Sequence, residues 1–165
     1  LIGALVGKTD EAAALTEQMQ ARFEAVREKA AAQESAGSVY FEVSPLEWGL
    51  WTTGQGTFMQ EMAELVNMKN AFEDVSGWVE VSQEQVLERD PDYIVTLSMY
   101  WGEGPTPVEE IMGRQGWDAL KAVQNSQVLQ MDSDQITRPG PRLADAAEML
   151  YELVYNDAAE EIPAA

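Results

Sequence analysis

The chain contains no cysteine and no histidine among its 165 residues. That excludes Cys/His zinc sites, His-ligated haem, Ser-His-Asp triads and cysteine nucleophiles built from this polypeptide alone. Without cysteine there are no disulfides, which leaves the cellular compartment open. Basic residues are scarce: 10 Lys and Arg face 29 Asp and Glu, for a net charge of −19. Such a surface repels phosphate backbones, so nucleic-acid binding is excluded in practice, and docking on an anionic membrane is disfavoured. No apolar run reaches the roughly 20 residues that a membrane span needs. No signal peptide is visible, and the chain starts at Leu1, not Met, so it reads as a fragment or a processed form. What is plentiful is apolar surface. At 45% hydrophobic residues the chain is no disordered acidic tail, and its length suits one domain with a real core.

Periodicity organises the rest. Leu15, Met19, Phe23 and Val26 recur at helical spacing in an Ala-rich opening segment that runs to about Gln33, with a break near Gly7 and Thr9 or Asp10 as the cap. Ser38–Val43 has strand composition. A Gly-rich loop from Ser44 to Gly56 follows, then a helix from Phe58 to Met68 with Thr57 as cap and Gln60 as its capping-box partner. Residues 71–81 read as irregular. Ser82 and Gln85 repeat the capping signature, and Asp90-Pro91 stops that short helix. Tyr93–Leu97 is nearly all apolar, as buried parallel strands are. Short helices are expected over 106–114 and 117–123, a third strand over Val128–Met131, a loop over 132–140 and a closing helix from Pro141 to about Tyr155.

Strands alternating with helices predict an α/β fold: a three-layer lobe with a small, mostly parallel sheet flanked by helices and preceded by a long helix. In such sheets ligands settle at the carboxyl ends of the strands. The loops expected there are 44–56, 98–105 and 132–140, and they carry Trp48, Trp51, Tyr100, Trp101, Asp134 and Arg138. An aromatic wall of this kind suits a large planar or greasy ligand. Each residue also has a plainer reading. Loop tryptophans staple loops to a core, Asp134 and Arg138 at this spacing form a local ion pair, and Glu84 behind the Ser82 cap favours the helix dipole. Asp132 and Asp134 are too few for a metal site in so acidic a chain, and none is assigned. No catalytic motif is present either, so no catalytic residue or cofactor is assigned and the chain reads as a non-enzyme.

The order of segments resembles the C-terminal lobe of class III solute-binding proteins of ABC importers, those for vitamin B12, haem and ferric siderophores. The stretches that carry the likeness are EAAALTEQMQARFEAVREKA, TTGQGTFMQEMAELVNMKNAFED, GWVEVSQEQVLERDPDYIV, GWDALKAVQNSQVLQM and SDQITRPGPRLADAAEML, in that order, from Leu1 to about Asn156. The resemblance implies an inter-lobe backbone helix over 1–34, a ligand-binding lobe over 35–157 and a flexible tail over 158–165, with the N-terminal lobe absent. It implies ligand contacts from Trp51, Trp78, Asp134 and Arg138, joined by Tyr100 and Trp101 from the strand-end loop. Glu84 falls where the family docks on the ABC-transporter permease, and Trp117 matches a structural position. Asn67-Met68 replaces the usual Gly-Gly; Asn tolerates a left-handed turn, so the departure touches only a helix end.

These expectations describe a binding component that captures a metal chelate, a corrinoid or ferric siderophore before haem, and delivers it to a permease. Its place is periplasmic or otherwise extracytoplasmic, with a lipid anchor upstream of Leu1 left open. Two rivals stand beside it: a phosphate- or nucleotide-handling α/β enzyme domain using Gly54–Thr57, and a ligand-free sensor or scaffold of the same fold.

Overall fold

The computed structural model describes residues 1–100, 102, 104–138 and 140–156. Along the chain the helices are α1 (Ile2–Leu5), α2 (Thr9–Ala31), α3 (Phe58–Leu65), α4 (Gln83–Arg89), α5 (Pro107–Met112), α6 (Lys121–Gln124), α7 (Ser133–Ile136) and α8 (Leu143–Tyr155). The strands are β1 (Ser38–Glu42), β2 (Leu50–Thr53), β3 (Lys69–Asn70), β4 (Trp78–Val81), β5 (Tyr93–Thr96) and β6 (Val128–Gln130). Short 3-10 turns occupy Leu46–Trp48 and Trp117–Ala119.

The three strands expected from composition lie side by side and parallel. The sheet order is β3-β1-β5-β6, with Tyr40 opposite Ile94 and Val95 opposite Leu129. Side chains alternate across it, so each strand feeds two cores. Val39, Phe41, Val95, Leu97 and Leu129 pack with α2, α3 and α8 on one face. Tyr40, Ile94 and Val128 pack with Val86, Ile111 and Trp117 on the other. Helices thus cover both faces of a parallel sheet, as expected. Met59, Met62, Ala63 and Val66 of the third helical segment are buried, as their spacing predicts, and so are Ala147, Leu150 and Val154 of α8.

The structure departs from the sequence reading in several places: Thr57 caps α3, but the Gln60 side chain donates to Glu64 rather than closing a capping box, and the sheet gains an edge strand, β3, that was not expected. The segments expected to be loop and irregular contain an antiparallel ribbon, β2 with β4. The 132–140 loop contains α7. Helix α2 starts behind Lys8, and neither Thr9 nor Asp10 caps it. Its inward face also begins later than expected: Leu15 is 43% exposed, whereas Val26 and Ala30 are buried. Arg22 explains part of the docking, because it donates to Glu148 (2.8 and 2.6 Å) and Asp145 (2.6 Å) of α8. At the end of α3, Asn67 takes a positive φ of 57°, and its side chain donates to the Gln33 carbonyl at 3.2 Å, so Asn supplies the left-handed turn. The 158–165 tail lies outside the described residues.

Candidate functional site

The carboxyl ends of β1, β5 and β6 open onto one cleft of about 860 Å³. Glu42, Val43 and Ser44 enter it from β1, Leu97 to Tyr100 from β5, and Ser133 and Thr137 from α7 beyond β6. Pro105, Pro107 and Glu110 line it as well, together with Trp48 and Trp78. Parallel pairing brings these ends together, because strands running the same way deliver their exits to one edge. Trp48 is 69% exposed, and Trp78 and Tyr100 are each 45% exposed, so the wall presents three open aromatic faces. The Tyr100 hydroxyl donates to the Gly104 carbonyl at 3.2 Å, which ties down its loop.

The other nominated residues sit differently. Trp101 lies outside the described residues. Trp51 is in β2, opposite Glu80, and is not among the residues lining the cleft. Antiparallel register puts it on the same ribbon face as Trp78, on the diagonal, because Thr53 rather than Trp51 stands opposite Trp78. Asp134 and Arg138 form an ion pair with each other at 3.0 Å on the exposed face of their segment. Their neighbours Ser133 and Thr137 line the cleft instead. Trp117 is fully buried, donates from Nε1 to Gln83 at 3.1 Å and lies under the Arg114 guanidinium, a structural placement.

A buried charged group underlies the cleft floor and was missed by sequence reasoning. Glu42 ends an otherwise apolar strand and is 1% exposed. Arg114 donates to both of its oxygens, at 2.8 and 3.0 Å, and also to Glu110, at 3.1 Å from Nε and again from Nη2. Burial pushes the Glu42 carboxyl above its ordinary range, while the Arg114 bonds pull it back. Burial, then the Glu42 charge, pushes the Tyr40 hydroxyl up as well, and that oxygen has no hydrogen-bond partner. A carboxylate inside an apolar strand run was the available signal, since such a group needs a cation nearby.

Glu84 occupies the first turn of α4 and is exposed. Ser82 and Gln85 form a complete capping box around that turn. Its own backbone N–H, then the Ser82 hydroxyl, hold the Glu84 carboxyl below its usual range, so it is charged at neutral pH.

The Gly54–Thr57 turn is a different kind of place. Thr57 donates to the Gly54 carbonyl at 2.7 Å and accepts from the Gln60 backbone, and a Cβ on Gly54 would meet the Val75 carbonyl at 2.2 Å. The hollow beside it, about 570 Å³, is lined by Glu61, Glu64, Glu73 and Asp74. Four carboxylates oppose a phosphate there. Among the described residues no cluster of three or more acidic side chains could hold a metal ion. No helix of the described residues is long and apolar enough to cross a membrane.

The sequence profile described as "Periplasmic binding protein" matches residues 1–135. The uncharacterized ABC transporter substrate-binding lipoprotein YvrC of Bacillus subtilis is 36% identical over 163 residues, covering 98% of this chain and 50% of YvrC. The vitamin B12-binding protein of Vibrio cholerae is 37% identical over 101 residues, covering 60% of this chain and 34% of that protein. A solved structure of a possible iron-binding (periplasmic solute-binding) protein from Staphylococcus epidermidis superposes with a TM-score of 0.80 at 29% identity, covering 93% of this chain and 58% of that one. The chain thus spans about half the length of YvrC, and less of the B12-binding relative.

Proposed function

Because this chain belongs to the periplasmic binding protein family, we propose that it is the C-terminal lobe of the substrate-binding component of an ABC importer. Its cargo is a metal chelate, a corrinoid or a ferric siderophore, and the metal belongs to the cargo. The observation that carries this reading is the wall of three exposed aromatic rings on a cleft at the carboxyl ends of the parallel strands. Exposed rings are stable there only at a cost in solvation that a broad, flat ligand removes. Relatives whose names include vitamin B12 binding and Fe(3+)-citrate binding support the ligand class.

Import needs reversible capture, so no bond chemistry is assigned. One lobe supplies one wall, and a second lobe supplies the other. The long α2 is then the connection between lobes, and the setting is extracytoplasmic. Docking falls to Glu84: a charged carboxylate on an exposed helix start suits electrostatic pairing with cations of a permease.

The test is a titration of the protein as encoded by its full gene with cobalamin and with ferric hydroxamates, followed by tryptophan emission and heat. Quenching by at least one chelate is expected; neither quenching nor heat with any of them would defeat the reading. In reconstituted vesicles, Glu84→Arg is expected to leave chelate affinity unchanged and abolish stimulation of transport. Unchanged transport would remove the docking role.

A further inference from the structure

Resting on the chelate-binding reading above, we propose that the wall this lobe supplies sorts cargo by charge, favouring neutral or cationic metal chelates over anionic ones. The cleft-lining residues include Glu42, Glu47 and Glu110, and among the described residues no Lys or Arg lines it. Arg114 lies behind the floor, 3% exposed, and is shared between Glu42 and Glu110. One guanidinium against two carboxylates leaves one negative charge, and the exposed Glu47 adds a second. Arg138 is held by Asp134, and neither Arg138 nor Arg142 lines the cleft.

The polar groups left for a ligand are neutral. Ser98 lines the cleft, although its Oγ is itself buried and has no hydrogen-bond partner. Ser133 and Thr137 also line it; the Thr137 hydroxyl already donates to the Ser133 carbonyl at 2.5 Å and keeps its lone pairs for a donor. Hydroxyls suit amide, carbamoyl and hydroxamate groups. A carboxylate-rich chelate needs Arg or Lys forks, which this wall does not offer. The net charge of −19 extends the same repulsion beyond the cleft.

The experiment uses two charge series, each on one scaffold, with the protein encoded by the full gene and calorimetry at low and raised salt. One series is ferrioxamine B (cationic), its N-acetyl form (neutral) and its N-succinyl form (anionic). The other is aquocobalamin (cationic), cyanocobalamin (neutral) and a monocarboxylate of cyanocobalamin (anionic). Within a series that binds, affinity is expected to fall about threefold for each unit of charge toward the anion, with the gap shrinking as salt rises. Glu47→Gln should narrow the gap. An anionic member that binds as tightly as the cationic one, or a gap unmoved by salt and by Glu47→Gln, overturns the charge rule while leaving chelate binding intact. Absence of binding by every member of both series overturns the chelate reading and the charge rule with it.

Discussion

Replacing Arg114 by Met tests whether the cleft floor is held by charge pairing or merely filled. The native guanidinium is 3% exposed and donates two bonds to Glu42, which is 1% exposed. Met preserves much of the side-chain volume over Trp117 but leaves the Glu42 charge without its partner. Breaking one half of a buried pair costs about 3–5 kcal/mol. In a domain of this size that lowers Tm by about 6–20 °C. The pH dependence has a definite sign. Burial already raises the Glu42 carboxyl above its ordinary 4.5, and loss of Arg114 raises it further. The folded state then holds a proton that the unfolded state releases, so its stabilising contribution is complete below the unfolded value and is lost as pH rises through the folded one. Urea unfolding of Arg114→Met should therefore show a larger deficit at pH 8 than at pH 5. Glu42→Gln added to Arg114→Met should recover part of the loss, giving a coupling of about 2 kcal/mol in the double-mutant cycle. A deficit under about 1 kcal/mol, additive with Glu42→Gln and flat with pH, would refute the pairing argument.

Two further outcomes concern the helices around the sheet. Arg22→Ala removes the clamp between α2 and α8, and because its partners are half exposed the loss is expected to stay near or below about 1 kcal/mol. The Arg22 bonds hold Glu148 below its ordinary value, so the clamp is complete above pH 4.5 and weakens as pH falls through the lowered value; hydrogen exchange of α2 amides should rise in acid in the native chain and less so in the variant. Ser82→Ala deletes the cap of α4 and should cost about 1 kcal/mol in urea unfolding, while Ser82→Gly should cost only a few tenths.

The central sheet was legible because each of its three main strands is a short apolar run between turn signals, and the helix caps at Thr57 and Ser82 follow from local chemistry. The β2–β4 ribbon was not. Leu50–Thr53 is short and set among glycines, and its partner Trp78–Val81 is distant in sequence, so no local pattern marks the pair. That ribbon is what carries Trp78 to the cleft and keeps Trp51 out of its lining. The strand-end rule found the cleft, but spacing alone does not reveal which face of the α7 segment turns toward it. Ser133 and Thr137 therefore line it where Asp134 and Arg138 were nominated. The Glu42–Arg114 pair spans 72 residues and becomes visible only once the sheet and α5 are packed.

The claim on which the account depends is that the aromatic cleft is where cargo lies. A crystal structure of the protein encoded by the full gene, grown with the chelate that quenches its tryptophans, tests it most directly. The chelate's flat face is expected against Trp48, Trp78 and Tyr100, with its polar edge toward Ser133 and Thr137. A chelate seated elsewhere on this lobe, with those three rings still open to solvent, would contradict it.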